Sequence, residues 1–401
     1  MKHLILIGDG MGDYPLRDLD GRTPLEAAKT PTLDRLARAG QIGRVVTTPE
    51  GLAPGSDVAI MSLLGYCAKG VLTGRGPLEA AALGAPLNPQ DVAFRLNLVT
   101  LGLDGPVRML DHAAGDISNQ EAGELIKALA EKLPLGPRQL HQGVSYRHLL
   151  VWPEAPENLP SIPPHDHRDQ VIDGFLNDPA LSPLMDLVRA SWPILADHPI
   201  NKARVAQGRR PANSIWLWGQ GRVPKIRTYQ ERWGLTGATV SAVDIIRGLG
   251  LYAGLQPIPV SGATGLLTTN YQGKAQAALE ALRELDLVVI HLEAPDECSH
   301  QGDLAAKIQA IENFDAQIVQ PILAGLSQFE PYRLLVACDH YTPLSLKTHA
   351  ADPVPFILYD SQSQADSGAS GYCEKAALEA GLLIPDGPSL GRLLFGPERT
   401  S

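Results

Sequence analysis

The sequence has few cysteines, no long basic run and no long uninterrupted apolar run. Its four cysteines among 401 residues include no Cys-x-x-Cys pair, which argues against a zinc ribbon and against a disulfide framework. No stretch approaches the roughly 18 uninterrupted apolar residues of a membrane-spanning helix, and LILI near the N-terminus is too short for a signal peptide. A net charge of -10 without a basic run argues against a general nucleic-acid binder. These absences predict a reduced, cytoplasmic protein that has neither a membrane nor a nucleic acid as its partner.

What is present is the composition of an ordinary globular protein. With 44% hydrophobic and 19% charged residues, the chain falls outside the disordered and low-complexity classes. Because 401 residues are too many for a typical single core, we expect two domains. The sequence contains no internal repeat and does not indicate the oligomeric state.

Three short apolar runs are each followed by an aspartate. LILIGDG leads to Asp9, LVVIHLEAPDECSH to Asp296 and LLVACDH to Asp339. Continuous runs rich in branched residues are typical of strands buried on both faces of a parallel sheet, and ligands bind outside the carboxyl ends of such strands. Each aspartate alone can be a turn or helix-cap residue. Three of them, two with histidines nearby, indicate a metal-dependent active site assembled from distant segments.

Helices are expected to alternate with these strands. Thr30 and the proline after it are expected to cap and open a helix that ends at Gly40. Later, GKAQAALEALREL precedes the run that begins at Leu287, and an apolar stripe beginning near Asp303 predicts a helix before the run at Leu334. This alternation predicts an α/β fold with a doubly wound, mostly parallel sheet.

The middle of the chain differs in composition from its two ends. From Pro86 to Trp233 it is denser in proline, arginine and tryptophan. Because the aspartates and their histidines lie on both sides of this stretch, we interpret it as a domain inserted into the sheet domain. The predicted division is 1–85 with 236–401 for the sheet domain and 86–235 for the insert.

The histidines near two of the aspartates have the spacing of metal ligands. Asp296 and His300 lie four residues apart, so consecutive turns of a helix would place them on one face. Asp339 and His340 are adjacent at a strand end, and His349 follows nine residues later. Mixed oxygen and nitrogen donors without cysteine suit manganese or zinc, or magnesium at the oxygen-rich positions. Histidines also cap helices or lie satisfied in cores, so neither pair is decisive alone.

Ser56, in LAPGSDVAIMSLLGY, is a candidate nucleophile. The Pro-Gly turn before it and the apolar stretch from Val58 to Leu64 place it at or just before a helix N-terminus. Unpaired backbone N–H groups and the helix dipole favour a phosphate there, and a neighbouring metal lowers the pKa of a serine hydroxyl. The alternative is that Ser56 only caps the helix. Together with Asp9 it completes seven candidate donors, which are enough for two metals.

The order of motifs along the chain resembles that of one known family. GDGMGD, TPLEAAKTPTLDRLA, PGSDVA, LTGRGPLEAA, EAPDECSHQGD and CDHYTPLSLKTHAADPVPF are similar to the cofactor-independent phosphoglycerate mutases of archaeal type, within the alkaline phosphatase superfamily. The similarity also covers YRHLLVW and PANSIWLWGQG in the insert. It implies an alkaline-phosphatase-like sheet domain with an inserted smaller α+β domain.

The resemblance also implies a role for each candidate donor. Ser56 is expected to carry the phosphoryl group beside two divalent metal ions, with Mn²⁺ ahead of Zn²⁺ or Mg²⁺. One ion would be held by Asp9, Ser56, Asp339 and His340, and the other by Asp296, His300 and His349. The implied activity is the glycolytic and gluconeogenic interconversion of 3-phosphoglycerate and 2-phosphoglycerate, in which the glycerate reorients without leaving.

A phosphorylated small-molecule substrate requires cationic groups and a wall that excludes water, and the insert is the expected source of both. Arg75 in TGRGPLE and Arg147 in SYRHLL are the first candidates. Further candidates for contact with the substrate are Asp111, His112, Arg204, Arg210 and Arg247. Any of these arginines can instead form a surface ion pair. The motif at His165 to His167 looks like metal ligands, but its proline-rich context favours a solvated loop or a domain interface.

The chain departs from related sequences at several positions. Cys67 stands in Gly-Tyr-Cys-Ala where GYDP is expected, Ile60 where asparagine is frequent, Asp116 where histidine is common, and Arg247 in place of a lysine. None of these departures touches the seven donors, so the open question is the phosphoryl acceptor. The alternatives are a phosphotransferase with another acceptor, as proposed for homoserine kinases of this branch, a metal-dependent phosphatase, and an inactive metal-binding protein.

Overall fold

The chain divides into two compact units. The computed structural model describes residues 1–156, 159–363 and 366–399. Unit 1 consists of the residues before Thr73 together with those after Pro224, and unit 2 is the segment Thr73–Pro224. None of the helices in these described ranges is both long and apolar enough to span a membrane.

The strands of the described residues range in length from two residues to eleven. In chain order they are β1 (Lys2–Gly8), β2 (Gln41–Val45), β3 (Val92–Gly102), β4 (Arg108–Asp111), β5 (Gln139–Val144), β6 (Arg147–Trp152), β7 (Ser214–Gly221), β8 (Gly237–Val240), β9 (Leu255–Pro257), β10 (Leu287–Leu292), β11 (Tyr332–Ala337), β12 (Val354–Asp360) and β13 (Leu383–Ile384).

The helices lie between these strands in both units. They are α1 (Pro24–Ala27), α2 (Pro31–Ala39), α3 (Ser56–Leu63), α4 (Gly76–Leu83), α5 (Asn119–Lys132), α6 (Asp173–Leu176), α7 (Ser182–Ala196), α8 (Pro199–Ala206), α9 (Tyr229–Arg232), α10 (Asp244–Tyr252), α11 (Tyr271–Ala281), α12 (Ala294–Gln301), α13 (Leu304–Phe314), α14 (Gln320–Leu326), α15 (Glu374–Glu379) and α16 (Gly387–Phe395). A π-helical segment, Asp315–Val319, joins α13 to α14.

Unit 1 is built on an eight-stranded sheet in the order β13-β2-β12-β11-β1-β10-β8-β9. Its strands are parallel except for β12, which runs antiparallel to both of its neighbours. Helices α11 and α13 occupy the predicted stretches between the central strands. The predicted α/β fold with a mostly parallel sheet is confirmed.

The three apolar runs that precede the aspartates form neighbouring strands at the centre of this sheet. β1 lies between β10 and β11, with Gly8 paired to Leu292 and Ile7 paired to Ala337, so the three strands end at one edge. Leu4 and Ile7 of β1 have no exposed surface. Burial of such a side chain contributes about 1.5–3 kcal/mol, which is why these continuous runs occupy the middle of the sheet.

Helix α2 begins after Thr30 and ends before Gly40 as predicted, but the predicted cap by the Thr30 hydroxyl is wrong. The Thr30 side chain makes no cap hydrogen bond. Instead, the carboxylate of Asp315 accepts hydrogen bonds from the backbone N–H groups of Thr32 and Leu33, at 3.3 and 2.7 Å. A carboxylate at a helix N-terminus satisfies free N–H groups and complements the helix dipole. Asp315 lies in the distant π-helical segment, so the local pattern around Thr30 does not reveal it.

Unit 2 contains an antiparallel sheet in the order β4-β3-β6-β5, with β7 also paired to β3. Along β3 the side chains alternate between the two faces. Phe94 and Leu96 face a core that includes Trp216 of β7, whereas Ala93 packs in a separate small cluster with Ala80 of α4. Unit 2 is therefore an α+β arrangement with its own hydrophobic core.

Both boundaries of unit 2 lie before the positions 86 and 235 expected from composition. At the first boundary, α4 packs directly on β3, and a side chain at Gly76 would collide with the carbonyl oxygen of Ala93. At the second, α9 belongs to unit 1 because the Tyr229 hydroxyl donates to the Leu64 carbonyl oxygen at 2.7 Å. Tertiary packing of α4 and α9, which composition does not report, accounts for both differences.

The two ends of unit 2 are joined to each other. The Thr73 hydroxyl donates to the carbonyl oxygen of Arg222, and the N–H of Arg222 donates back to the same hydroxyl, both at 2.9 Å. The segment therefore begins and ends at one place.

Candidate active site

The ends of the three central strands bring the predicted aspartates to one edge of the unit 1 sheet. Asp9 follows β1 directly, Asp339 lies just beyond β11, and Asp296 lies in the first turn of α12 after β10. Their exposed fractions are 2%, 0% and 5%, respectively. Carboxylates so deeply buried need compensating partners.

Ser56 and His340 complete a first group of donor atoms with two of these aspartates. Ser56 is the first residue of α3, which confirms its predicted place at a helix N-terminus. Its Oγ lies 3.2 Å from His340 Nε2. The same ring nitrogen lies 3.2 Å from Asp339 Oδ2 and 3.5 Å from Asp9 Oδ1. Four donor atoms thus surround one small volume.

The hydrogen bonds of Thr342 fix which nitrogen of His340 carries the proton. Thr342 Oγ1 donates its single proton to Asp296 Oδ1 at 2.6 Å, so it can only accept from His340 Nδ1, 3.1 Å away. In the neutral ring Nε2 therefore carries a lone pair. That lone pair faces Asp9 Oδ1 and Asp339 Oδ2, neither of which has a hydrogen-bond partner in the described part of the chain. Acceptors that face acceptors need either a proton or a cation between them, and a set of carboxylate and imidazole donors fits a divalent metal ion.

The electrostatics of the group lead to the same conclusion. Burial lowers the pKa of His340, which favours the neutral ring. Burial, followed by the neighbouring carboxylates of Asp339 and Asp296, raises the pKa of Asp9 well above its usual range. The shift of His340 expresses the cost of burying a charged ring, and that of Asp9 expresses the cost of burying a carboxylate beside others; a bound cation would offset the second cost.

Asp296, His300 and His349 form the second group of donor atoms. Asp296 and His300 lie on one face of α12, with Oδ2 and Nε2 3.0 Å apart. His349 Nε2 lies 3.5 Å from Asp296 Oδ1 and 3.1 Å from His300 Nε2. The hydrogen bond to Asp296 raises the pKa of His300 to about 9. A metal at this position must therefore displace a proton, so its affinity is expected to rise with pH.

His291 belongs to the site but is not predicted by the sequence analysis. It lies in β10 with 1% of its surface exposed, and its Nε2 donates to Asp9 Oδ2 at 2.8 Å. Its Nδ1 lies 3.2 Å from the hydroxyl of Ser241, which can donate to it. Burial, followed by the charge of Lys274, lowers the pKa of His291 to about 3. The available signal was a histidine inside a continuous apolar run, where a polar ring needs partners.

A buried ion pair anchors the loops that carry the donors. Lys307 Nζ lies 2.8 Å from Asp13 Oδ2, and both side chains are fully buried. The ammonium group also donates to the carbonyl oxygens of Gly12 and Thr342, at 3.2 and 3.0 Å. Glu374 Oε1 accepts from the Asp13 backbone N–H at 3.1 Å. Removal of one partner of such a pair typically costs about 3–5 kcal/mol, so this network holds the loops in place.

We expect Glu374→Gln to change the pH dependence of stability. Burial raises the pKa of Glu374 from 4.5 to about 7. A carboxyl whose pKa is higher in the folded state contributes stability that is present below the unfolded pKa and lost as the pH rises through the folded pKa. Between about pH 4.5 and 7 the wild type should lose roughly 3 kcal/mol of unfolding free energy relative to the variant. Urea unfolding of the metal-free proteins measures this difference.

The matched control for this measurement is Glu379→Gln, because Glu379 is exposed on the same helix, α15. Its pH profile should follow that of the wild type. If Glu374→Gln and the wild type also gave parallel profiles, the expectation would be wrong.

Unit 2 contains a group of basic side chains that we name the cationic cluster: Arg75, Arg95, Arg147, His112 and His165. Arg95, which the sequence analysis does not predict, lies 4.1 Å from the Trp218 ring centroid and pairs with Glu79 at 3.0 Å. Burial, and among the nearby charges those of Arg75 and Arg147, lower the pKa of Arg95. The His165 ring lies 5.2 Å from that of Trp218 and 6.0 Å from that of His112. The three arginines of the cluster favour an anion as ligand, whereas burial lowers the pKa of His112 and of His165 and so favours neutral rings there.

Arg204 is not available for a substrate. It is 1% exposed, and its guanidinium donates to Glu121, to the Arg210 carbonyl oxygen and to the Ala114 carbonyl oxygen at 2.8, 2.9 and 2.6 Å. The predicted substrate contact is therefore not supported, because these bonds commit the side chain to the packing of unit 2.

Asp111, Arg210 and Arg247 also have local partners. Arg210 pairs with Asp111 at 3.0 Å, and Asp111 accepts from the backbone N–H groups of Ala113 and Gly115, both at 2.9 Å. Arg247, in unit 1, pairs with Asp244 one turn earlier on α10 at 3.1 Å. These contacts favour the ion-pair alternative for Arg210 and Arg247, and Asp111 is the partner of the first.

Comparisons with known proteins agree on one family. The profile of the 2,3-bisphosphoglycerate-independent phosphoglycerate mutase family matches residues 37–201. A Geobacter sulfurreducens protein, named as a probable mutase of this kind, is 48% identical over 397 residues, which cover 98% of this chain and 100% of that protein. A Methanosarcina barkeri protein with the corresponding name is 46% identical over 388 residues, covering 95% and 96% of the two chains.

Two solved structures are similar over almost the full length. A protein of Pyrococcus horikoshii superposes with a TM-score of 0.83 at 27% identity, covering 98% of this chain and 96% of the other. A cofactor-independent phosphoglycerate mutase from Thermoplasma acidophilum superposes with a TM-score of 0.65 at 28% identity, covering 98% and 99%. The name of the second structure agrees with those of the two sequence relatives.

Proposed function

Because the chain belongs to the family of 2,3-bisphosphoglycerate-independent phosphoglycerate mutases, we propose that it interconverts 3-phosphoglycerate and 2-phosphoglycerate through a phosphoserine at Ser56. One observation carries the assignment of the serine. Its Oγ lies 3.2 Å from His340 Nε2, the atom that also faces the unpartnered oxygens of Asp9 and Asp339. A hydroxyl in this position lies beside donor groups that can activate it. It also lies at the N-terminus of α3, which favours a bound phosphate.

The proposed reaction conserves the phosphoryl group within one bound molecule. Ser56 Oγ loses its proton and forms a bond to phosphorus as the bond between phosphorus and O3 of 3-phosphoglycerate breaks, and O3 takes up a proton. After the glycerate reorients, its O2 loses its proton and forms the new bond to phosphorus as the bond between phosphorus and Ser56 Oγ breaks, and Oγ takes up a proton. The positive end of the α3 dipole faces the phosphoserine and favours its negative charge.

The donor set supports divalent metal dependence, and we propose two ions. The first position comprises Asp9, Ser56, Asp339 and His340, and the second comprises Asp296, His300 and His349. The donor atoms of Asp9, Asp339 and His340 lie close enough together to hold one ion, and those of Asp296 and His349 form a second such set together with His340. Mixed carboxylate and imidazole donors favour Mn²⁺, with Zn²⁺ or Mg²⁺ as alternatives. When bound, such ions supply positive charge that lowers the pKa of the serine hydroxyl and neutralises phosphoryl oxygens. His291 orients Asp9 for this role through its hydrogen bond to Oδ2.

The experiment that tests the proposed activity is phosphorus NMR of the manganese-loaded protein with 3-phosphoglycerate, after the ion has been removed from quenched samples. We expect 2-phosphoglycerate to appear without free phosphate and without an added bisphosphate. Free phosphate alone would instead assign the chain to metal-dependent phosphatases. Transfer only after homoserine or another acceptor is added would assign it to a phosphotransferase.

We propose that the cationic cluster binds the carboxylate and phosphate of the substrate. Arg147 is exposed at the start of β6, with its guanidinium 5.6 Å from the Tyr146 ring centroid. A hydrogen bond to a charged group is worth about 1.5–3 kcal/mol. Arg147→Met should therefore raise KM for 3-phosphoglycerate by roughly 10- to 100-fold in steady-state assays.

Arg209→Met is the matched control for Arg147→Met. Arg209 is also exposed in unit 2, and it pairs with Glu121 at 3.1 Å. Its removal should leave KM unchanged. If the KM of Arg147→Met equalled those of Arg209→Met and the wild type, Arg147 would be excluded from substrate binding.

A further inference from the structure

A buried hydroxyl contacts one donor residue in each of the two groups. Thr342 has no exposed surface, and its Oγ1 contacts His340 of the first position and Asp296 of the second, at 3.1 and 2.6 Å. We propose that Thr342 is a positioning residue that orients one donor of each metal position, so that both positions depend on the same hydroxyl. The inference rests on the two-metal assignment made above.

The direction of the two hydrogen bonds makes this role specific. An oxygen–oxygen distance of 2.6 Å is that of a hydroxyl that donates to a carboxylate, so the only proton of Thr342 goes to Asp296. His340 must then donate from Nδ1, which turns its Nε2 lone pair toward the first position. Because Thr342 engages Oδ1 of Asp296, Oδ2 of the same carboxylate is left facing His300 in the second position.

The hydroxyl is itself held in place by the surrounding backbone. Thr342 donates its N–H to the carbonyl oxygen of Gly12 and accepts at its own carbonyl oxygen from Lys307 Nζ, both at 3.0 Å. Gly10 has a φ of +62°, and a Cβ there would lie 2.6 Å from both Thr342 Oγ1 and Asp296 Oδ1. Only glycine leaves room for this contact. The anchoring means that the hydroxyl acts on both donors from a fixed point.

The test is a titration of the metal-free chain with Mn²⁺, with the free ion measured by electron paramagnetic resonance. The wild type should bind two ions. Thr342→Val keeps the shape of the side chain but removes the hydroxyl, and it should weaken both binding constants by about 10- to 100-fold. Thr342→Ser keeps the hydroxyl and should retain both. His291→Asn removes the hydrogen bond to Asp9 alone, so it should weaken only one constant.

A second measurement needs no variant and therefore does not depend on how Thr342→Val folds. Nitrogen-15 NMR of the histidine rings in the metal-free wild type reports which nitrogen of His340 carries the proton. We expect the proton on Nδ1. A proton on Nε2 would mean that Thr342 does not orient the ring and would overturn the proposal.

The titration separates this inference from the assignment on which it rests. A wild type that binds fewer than two ions would overturn both. If the wild type binds two ions while Thr342→Val weakens only one constant, or neither, the two-metal assignment stands and the role of Thr342 is wrong. If Thr342→Ser, which keeps the hydroxyl, also weakened both Mn²⁺ binding constants, the hydroxyl would be excluded as the cause.

Discussion

Ser56→Ala should abolish turnover while the chain keeps its fold. We expect the interconversion rate to fall by on the order of 10⁴-fold or more, because the proposed pathway has no phosphoryl carrier without this oxygen. Metal binding should persist, since the Asp9, Asp339 and His340 donors remain. Mass spectrometry of the wild type, quenched during turnover, should detect one added phosphoryl group on the peptide that contains Ser56, and the variant should lack it.

Ser62→Ala is the matched control for this experiment. Ser62 lies on the same helix, α3, but its buried hydroxyl donates to the carbonyl oxygen of Thr47 at 2.7 Å. Its removal should cost about 1 kcal/mol of stability and leave turnover unchanged. A Ser56→Ala protein that retained a tenth of wild-type turnover, with metal bound, would rule out the phosphoserine pathway.

Asp339→Asn should have opposite effects on stability and on metal binding. Asp339 Oδ1 accepts from the backbone N–H groups of Gly10 and His340, at 3.0 and 2.8 Å, and an asparagine carbonyl oxygen can accept both. The amide nitrogen would then replace Oδ2, which lies opposite the unpartnered Asp9 Oδ1 and the Nε2 lone pair of His340. A donor at that point relieves the repulsion among acceptors, so the metal-free variant should be more stable by about 1–3 kcal/mol.

Metal affinity should change in the other direction. The variant loses an anionic ligand, so its affinity at the first position should fall by at least about 100-fold, and turnover should fall with it. Thermal unfolding with and without Mn²⁺ measures both effects together. The wild type should be stabilised strongly by the ion, and Asp339→Asn weakly.

Asp303→Asn is the control for the change of carboxylate to amide. Asp303 caps α13 by accepting from the Ala306 N–H at 2.9 Å, and asparagine caps a helix equally well. Its stability and its response to Mn²⁺ should match those of the wild type. An Asp339→Asn protein that was less stable than the wild type without metal would contradict the role given to the facing acceptors.

The central strands and the convergence of the seven donors could be predicted from the sequence, because both follow from local patterns of residues. A continuous apolar run specifies a strand buried on both faces, and the residue that follows the run must lie at the end of that strand. Asp9 and Asp339 come together for this reason. The i, i+4 spacing of Asp296 and His300 likewise requires only that α12 be a helix.

The contacts that hold the donors in place depend on partners far away in the sequence. Lys307 lies on a helix whose apolar stripe was clear, but the pattern does not show that its ammonium group would meet Asp13 in the core. The same reason explains why Thr30 does not cap α2, since the carboxylate of Asp315 is already there. Arg204, predicted to contact the substrate because of its charge, instead hydrogen-bonds to Glu121 and to the Ala114 carbonyl oxygen inside unit 2. Burial of a charged side chain is decided by the assembled fold rather than by its neighbours in the chain.

The closed ends of unit 2 have a consequence for how such a chain can change over time. Thr73 and Arg222 meet through two hydrogen bonds, so the whole insert leaves and re-enters the chain at a single point. Replacing one insert by another of different length then costs unit 1 little chain entropy. The seven donors lie outside the insert, whereas the cationic cluster lies within it. Selection can therefore exchange or reshape the proposed substrate-binding side chains while the proposed phosphoryl-transfer donors are inherited unchanged.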